Sequence, residues 1–330
     1  MDMTSWLLRR MAVRPFIVAA PGATAARLAA ERCFRERRWR TAVNPVEANM
    51  LVVAGDVDVG RIWEQMPLPK TKVDLTPGIE VHLVVDAAVE KLRDRHSQHP
   101  APEAAHEMTG HKHHEPDTAA HDMGQHDHDS HGMGGHSHGG HDMGEMVLPG
   151  GIPMASRIED RDGLALDYLH VFLGPVLADW PPGLVVKATM QGDILQEVEV
   201  EVIGRPGGYW TEDRMPARRL DSCGRLLAVA GWETAAAKAR ELRDQVLSGQ
   251  NLGTDYHRWA RRVRRSKVLR WSLAGVGEWQ GLDAWGRLTG WLDQVDLDQG
   301  MTALPGLLNG SELANARLIV ASLDPDTDHD

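Results

Sequence analysis

The sequence predicts an α/β domain over residues 1–95 and an α+β domain over residues 151–330, separated by a disordered linker over residues 96–150. Three observations predict this organisation. Short apolar runs alternate with helix-forming segments in the first range, which is typical of a parallel sheet with helices on its faces. Strand-like runs precede long helical segments in the last range. Histidine, glycine, aspartate and methionine dominate the middle range, which cannot bury enough apolar surface to fold.

The elements of the first domain follow from apolar runs, turn signals and helix formers. The first apolar run ends in Pro21-Gly22 and the second ends in Gly55-Asp56, both of which are turn signals. Thr24 is the expected N-cap of a helix rich in Ala, Arg and Glu. The predicted elements are strands over 16–20 and 49–54, a helix over 25–37, a helical turn over 61–66, a strand over 81–85 and a helix over 87–94.

The linker contains a ten-residue unit with the pattern H-x-M-G-x-H-x-H, repeated in register. Eleven of the 17 histidines lie between His106 and His141. Imidazole suits Ni²⁺, Cu²⁺ and Zn²⁺, and the thioether of methionine adds affinity for Cu⁺. The repeat therefore predicts a metal-binding segment, and the alternative is a solvated linker whose histidines bind metal only adventitiously. The candidate ligands are His121, Met123, His126, His128, His131, Met133, His136, His138, His141 and Met143.

The second domain begins with strand-like runs and continues with helices. A turn at Gln191-Gly-Asp193 predicts a hairpin. The alternation of valine and glutamate over 198–202 predicts a sheet with one solvated face. The predicted elements are strands over 164–171, 184–190 and 194–203, and helices over 217–230, 233–247 and 256–273.

Two motifs in the first half resemble the small, cluster-bearing subunit of respiratory complex I, which energy-converting hydrogenases share. One is Glu47-Ala-Asn-Met-Leu-Val-Val-Ala-Gly-Asp56, and the other is Trp63-Glu-Gln-Met-Pro-Leu-Pro-Lys70. The opening Trp6-Leu-Leu-Arg-Arg10 is similar to the amphipathic lead-in of those subunits. The resemblance covers about residues 5–90 and implies a flavodoxin-like parallel sheet.

The chain differs from that family at the residues that bind the iron–sulfur cluster. The family holds an iron–sulfur cluster with four cysteines, two of them adjacent after the first strand, whereas this chain has Ala19-Ala20-Pro21-Gly22 there. Its two cysteines are Cys33 and Cys223, and thiolates are the ligands that a cluster requires. We therefore expect no iron–sulfur cluster, and we expect both cysteines to be small buried hydrophobes.

The second half resembles a truncated form of the large, quinone-side subunit of complex I and its NiFe-hydrogenase relatives. The resemblance implies two C-x-x-C pairs for nickel and iron, but only Cys223 occurs here. It also implies histidines in the loop between the first two strands, but residues 176–182 contain none. The motifs on which this resemblance to the large subunit rests are Gly174-Pro175 with Gly183-Leu184, the Gly192-Asp193 hairpin, Arg219 to Ala228, Leu304 to Leu308 and Ala316 to Asp324.

Two further features have competing interpretations. Arg258 to Trp271 contains seven basic residues and two tryptophans. A basic helix facing solvent or an acidic partner is the favoured interpretation, and docking on anionic lipid or phosphate is the alternative. His170 lies in an apolar run and is expected to be a hydrogen-bonded core histidine.

Charge and hydropathy limit the function classes. The formal net charge of −11 argues against nucleic acid as a partner. The sequence lacks a signal-like N-terminus and has no run of 18 apolar residues, so we expect a cytoplasmic protein, peripheral on the cytoplasmic face of a membrane. A linker of about 50 residues gives a millimolar effective concentration, so we expect the two halves to dock.

These observations predict a non-catalytic, structural docking subunit of a complex I-like assembly, related to NADH:quinone oxidoreductases or hydrogenases. The expected partners are its membrane subunits and other soluble arm subunits, with no cofactor bound by the folded halves. One alternative is a metal-handling protein that binds nickel, copper or zinc through the repeat. Another is an accessory subunit for electron or proton transfer that uses cofactors of its partners.

Overall fold

The computed structural model describes residues 3–98, 157–159, 165–297 and 300–328. Met1–His99 and Ser156–Asp330 form one compact unit. The N-terminal segment is α/β and the C-terminal segment is α+β, as the sequence predicts. Within the part of the chain described, no helix has both the length and the apolar character needed to cross a membrane.

The N-terminal segment is built around three parallel strands in the order β1–β2–β3. Pro15 pairs with Met50, which pairs with Thr71. The central strand is therefore β2, whereas a flavodoxin-like order has β1 between β2 and β3. The elements are α1 (Met3–Arg10), β1 (Pro15–Ala19), α2 (Thr24–Glu36), β2 (Met50–Ala54), α3 (Gly60–Gln65), β3 (Thr71–Leu75), α4 (Val81–Arg93) and α5 (Arg95–Gln98).

The predicted strand over 81–85 is wrong, because these residues begin helix α4. Val85, Ala88, Val89 and Leu92 are the buried residues of this helix, and their spacing of three and four residues matches one helical face. The third strand is instead Thr71–Leu75, in which buried and exposed residues alternate. An apolar run of five residues does not distinguish a strand from part of a helix, which explains the error.

The predicted cap of α2 is also wrong. Thr24 is the first helical residue and is buried, while Ala23 occupies the N-cap position without a side-chain hydrogen bond. The helix itself, β1, β2 and the short helix α3 lie within one residue of their predicted bounds. The propensity and the turn signals thus located the elements, but not the residue that begins the helix.

The C-terminal segment opens with four antiparallel strands in the order β4–β5–β6–β7. Helices α6, α7, α8 and α10 share one apolar core, and α11 and α12 pack on the buried face of the sheet. The elements are β4 (Arg157–Glu159), β5 (Ala165–Leu173), β6 (Leu184–Gln191), β7 (Ile194–Val202), α6 (Met215–Val229), α7 (Glu233–Leu247), α8 (Thr254–Arg264), α9 (Lys267–Leu273), α10 (Ala284–Leu292), α11 (Leu304–Leu308) and α12 (Leu313–Leu323).

The predicted hairpin is confirmed, and β7 has one solvated face. Val198 and Val200 pack against the core, while Glu199 and Glu201 are exposed. The single helix expected over 256–273 is wrong, because the chain forms α8 and α9 with a break at Arg265 and Ser266. The Ser266 hydroxyl accepts a hydrogen bond of 3.3 Å from the backbone N–H of Leu269, so it caps a new helix.

Candidate functional site: a buried charge network and its cavity

A cavity of about 410 Å³ lies where β1 and α2 face α6 and α7. This volume falls within the roughly 300–1,000 Å³ typical of small-molecule sites. Apolar side chains form part of its wall: Phe16, Val18, Phe34, Leu177 and Trp180. Charged side chains form the rest, among them Arg27, Glu31, Arg35, Asp221, Arg225 and Arg240.

Asp221 of α6 is the centre of the charged wall. Arg27 of α2 donates to it over 2.7 Å, Arg225 lies 3.3 Å from it, and Arg243 of α7 donates to its other oxygen. Glu31 accepts from Arg27 at 2.7 Å and from Arg243 at 2.8 Å. The two carboxylates therefore share two guanidinium groups and join the N-terminal segment to the C-terminal segment.

A second group of contacts continues the network to the last residues of the described chain. Arg225 donates to Asp324 over 2.7 Å, and the Ser222 hydroxyl donates to the other oxygen of Asp324 over 2.5 Å. Arg218 pairs with Asp326 at 2.7 Å. Asp324 follows α12 in a left-handed conformation with φ of 43°. Successive turns of α6 thus hold the C-terminal tail through charge-assisted bonds.

The opposite end of the network is equally balanced. Arg35 pairs with Asp244, Arg240 pairs with Asp179, and Arg243 lies 3.0 Å from Asp244. Apart from the Arg218–Asp326 pair, the network therefore sets five guanidinium groups against five carboxylates, and their formal charges cancel. The members are Arg27, Arg35, Arg225, Arg240, Arg243, Glu31, Asp179, Asp221, Asp244 and Asp324.

The network holds its carboxylates ionised. Burial alone would raise the pKa of Glu31, but Arg27 and Arg243 outweigh it and lower that pKa to about 2. Burial likewise opposes ionisation of Asp221, and the attraction of Arg27, Arg225 and Arg243 holds its pKa well below the usual range. Burial would lower the pKa of Arg27, yet Asp221 and Glu31 raise it.

These shifts decide what the site can do chemically. A general acid or base works best when its pKa lies near the working pH, whereas Glu31, Asp221 and Arg27 stay charged across the neutral range. A ligand in the cavity would also have to compete with internal ion pairs. The Arg27 Nε atom is buried without a hydrogen-bond partner among the described residues, so one donor remains unused. The arrangement fits a structural interface better than a proton-transfer site.

The turn after β1 is packed against the C-terminal segment. A Cβ atom at Gly204 would lie 2.6 Å from Cδ of Pro21, and one at Gly207 would lie 2.5 Å from Cα of Gly22. The Asp328 carboxylate accepts from the backbone N–H groups of Gly22 and Gly207, the latter at 3.1 Å. Close backbone approach therefore fixes this turn against the C-terminal segment.

The thiols present do not fit an iron–sulfur cluster. Cys33 of α2 and Cys223 of α6 are buried in two different apolar cores, as predicted. Burial raises the pKa of each thiol, which disfavours the thiolate that a cluster binds. Among the described residues, no group of three or more His, Cys, Asp and Glu side chains could hold a metal ion.

The structure places the other residues singled out in the sequence in different surroundings. The ten candidate ligands of the repeat, from His121 to Met143, lie outside the described residues. His170 is exposed on β5 and packs edge-on against Tyr168, with ring centroids 5.3 Å apart, so the expected core histidine is wrong. Lys70 contacts other residues of its own motif over 63–70. Its Nζ donates to the Met66 carbonyl over 3.0 Å and lies 4.6 Å from the Trp63 ring centre.

The central residues of the network were not predicted from the sequence. Arg27, Glu31 and Arg35 follow at intervals of four residues, a pattern that places them on one side of α2. That pattern is common on solvated helices, and nothing in it indicates burial. The loop over 176–182 does line the cavity through Leu177, Asp179 and Trp180.

Comparison with family models, curated proteins and solved structures gives no match for this chain.

Proposed function

We propose that this chain is a non-catalytic docking subunit of a complex I-like membrane assembly, related to NADH:quinone oxidoreductases or hydrogenases. The observation that carries this proposal is the charge network between α2 and helices α6 and α7. Its groups are mutually paired, and Glu31, Asp221 and Arg27 stay ionised near neutral pH, so they hold two segments together and are not themselves poised for proton transfer. Such a site supports a structural role at a place where the resembled enzymes carry out chemistry.

The resemblances supply the assembly. The N-terminal segment is then a counterpart of the small, flavodoxin-like subunit, although the order of its three strands differs. The C-terminal segment is a counterpart of a truncated large subunit. In the resembled machines these two subunits lie next to each other, and in this chain the two segments form one unit joined by ion pairs such as Arg27–Asp221.

Exposed apolar side chains supply candidate contacts to the membrane subunits. Trp6 and Leu7 of α1 are about half exposed, and Val268 and Trp271 of α9 are more than two-thirds exposed. Large exposed apolar groups close to basic residues are typical of surfaces that meet a membrane or an embedded protein. The expected location is the cytoplasmic face of the membrane.

The test is fractionation of the native host followed by cross-linking. We expect the protein to sediment with membranes and to be released by detergent but not by salt alone, because contacts with embedded subunits are apolar. Cross-linking should capture membrane subunits together with other soluble arm subunits. A variant with Trp6→Ser and Leu7→Ser should sediment less, while Val46→Ser, an exposed apolar residue outside α1, should not change the distribution. Wild-type protein found entirely in the soluble fraction, with no membrane subunit cross-linked, would overturn the proposal.

A second candidate function is metal handling. The observation that favours it is the in-register repeat of histidine and methionine between His121 and Met143. Such a segment could store or deliver nickel, copper or zinc without any chemistry in the folded unit. The two functions are compatible, and metal binding by the repeat is tested separately from membrane association.

A further inference from the structure

The outer sides of α8 and α9 form a basic surface that the charge network does not use. In α8 the buried residues are Tyr256, Trp259, Ala260 and Val263. At 3.6 residues per turn, Arg258, Arg261 and Arg265 point away from that buried side. All three are exposed, and Arg258 makes only a 3.4 Å contact with the exposed Asp255.

Helix α9 follows α8 directly along the chain and adds exposed apolar side chains. Its buried residues are Leu269 and Leu273, so Lys267 and Trp271 lie on the opposite side of the helix. Trp271 is 74% exposed and Val268 is 70% exposed. The surface therefore combines a row of cations with a large aromatic group at one end, and no acidic residue occurs between Arg258 and Trp271.

We infer that this surface, defined by Arg258, Arg261, Arg265, Lys267, Val268, Arg270 and Trp271, binds directly to an anionic lipid bilayer. Guanidinium and ammonium groups pair with lipid phosphates, while Trp271 and Val268 enter the interfacial region. The inference concerns lipid itself and holds whether or not the chain also contacts embedded subunits.

Charge complementarity favours an anionic lipid bilayer as the partner of this surface. The surface contains five basic residues, and no acidic residue lies between Arg258 and Trp271, so an anionic bilayer attracts it. This attraction would bring α8 and α9 toward the membrane. An exposed tryptophan beside exposed cations matches the interface of a bilayer, where an aromatic ring has an apolar body and a polar edge.

The experiment is sedimentation of the purified full-length chain with vesicles. The vesicles are phosphatidylcholine alone or phosphatidylcholine mixed with phosphatidylglycerol, each at low and at high sodium chloride. We expect binding to the mixed vesicles alone and a strong loss of it at high salt, since exposed charges are screened. A variant in which Arg261, Arg265, Lys267 and Arg270 are all changed to Gln should lose at least about 100-fold in vesicle affinity, because each basic residue near the surface contributes roughly fivefold.

The matched control changes four exposed basic residues elsewhere to Gln and has the same net charge: Arg32, Lys72, Arg93 and Arg205. It should bind like the wild type, apart from a small long-range effect. The Trp271→Ser variant should bind mixed vesicles about tenfold more weakly, and all variants should retain the circular dichroism of the wild type because the changed side chains are exposed. Equal loss in the surface variant and the control would overturn the inference.

Other outcomes separate this inference from the proposed function. Sedimentation with native membranes but not with vesicles would overturn lipid binding and leave the docking-subunit proposal standing. Binding to vesicles without any cross-linked membrane subunit would support lipid binding and contradict the docking-subunit proposal. Surface-dependent binding to polyglutamate or to DNA in place of vesicles would show that the partner is an acidic polymer and would overturn the inference.

Discussion

At the scale of single residues, Arg243 is a charge held entirely inside the folded unit. Its side chain is completely buried and contacts three carboxylates, those of Glu31, Asp221 and Asp244. Removing a charge from water costs several kcal/mol, and this cost is recovered only when the partners are well placed.

We predict that Arg243→Met lowers the free energy of unfolding by about 3–5 kcal/mol, because it leaves buried carboxylates without compensation. The control is Arg32→Met on α2, whose side chain is 55% exposed and pairs with Glu36 at 3.0 Å. That change should cost less than about 0.5 kcal/mol. Urea denaturation of both variants measures the difference, and similar losses in the two would show that the buried network has no special role.

At the scale of elements, burial patterns were more informative than apolar runs. In β3 the residues Thr71, Val73 and Leu75 are buried while Lys72 and Asp74 face solvent, which is a clear strand pattern with a period of two. The run over 81–85 is more apolar but belongs to α4, because its buried positions continue at helical spacing beyond Val85. A window long enough to include Ala88 and Leu92 distinguishes the two periods.

The prediction for the histidine-rich segment depends on its composition and on the in-register repeat between His121 and Met143. We predict that the chain binds several Ni²⁺, Cu²⁺ or Zn²⁺ ions and that deletion of residues 106–143 abolishes this binding while the circular dichroism of the folded unit persists. Because metals bind neutral imidazole, the affinity should fall steeply as the pH drops through about 6.5. Titration calorimetry measures both effects.

A matched variant separates the two ligand types in this segment. Changing Met123, Met133 and Met143 to Leu should weaken Cu⁺ binding but leave Ni²⁺ and Zn²⁺ binding unchanged, because thioether sulfur prefers the softer ion. If the deletion variant bound metal as well as the intact chain, the ligands would lie elsewhere.

At the scale of the whole molecule, the two segments form one compact unit. The expectation that the halves dock is confirmed by ion pairs that link residues far apart in sequence, such as Arg27 with Asp221 and Glu31 with Arg243. Backbone contacts at Gly22 and Gly207 add a second connection near the C-terminal tail. Loss of either segment would therefore leave charged groups of the other without partners.

We predict that acid destabilises the whole unit in one transition. The pKa of Glu31 is about 2 in the folded chain against 4.5 as its ordinary value, so its stabilising effect is complete above about pH 4.5. The effect is lost as the pH falls from there toward 2, because the unfolded chain binds the proton more tightly. The lowered pKa of Asp221 acts in the same direction.

Urea denaturation from neutral pH down to about pH 3, followed by tryptophan fluorescence and far-ultraviolet circular dichroism, measures this dependence. The two signals should change together, since both segments share the network. A Glu31→Gln variant should be less stable at neutral pH and show a shallower dependence on pH. Parallel pH curves for the variant and the wild type would contradict the assignment to Glu31.

The sequence by itself determined the class of each segment and many of its elements. Apolar runs, turn signals and helix formers are local properties, so β1, β2, α2, the β6–β7 hairpin and helices α6 and α7 were predictable within two residues. Burial of Cys33 and Cys223 was also predictable, because a free cysteine behaves as a small hydrophobe.

Only the tertiary structure decided which charges are buried. Arg27, Glu31, Asp221 and Arg243 look like ordinary residues of solvated helices, and they become a network because α2 packs against α6 and α7. His170 shows the reverse case, since an apolar strand placed it on the exposed face of a sheet. Burial of a polar group depends on partners distant in sequence, and a local sequence pattern does not identify those partners.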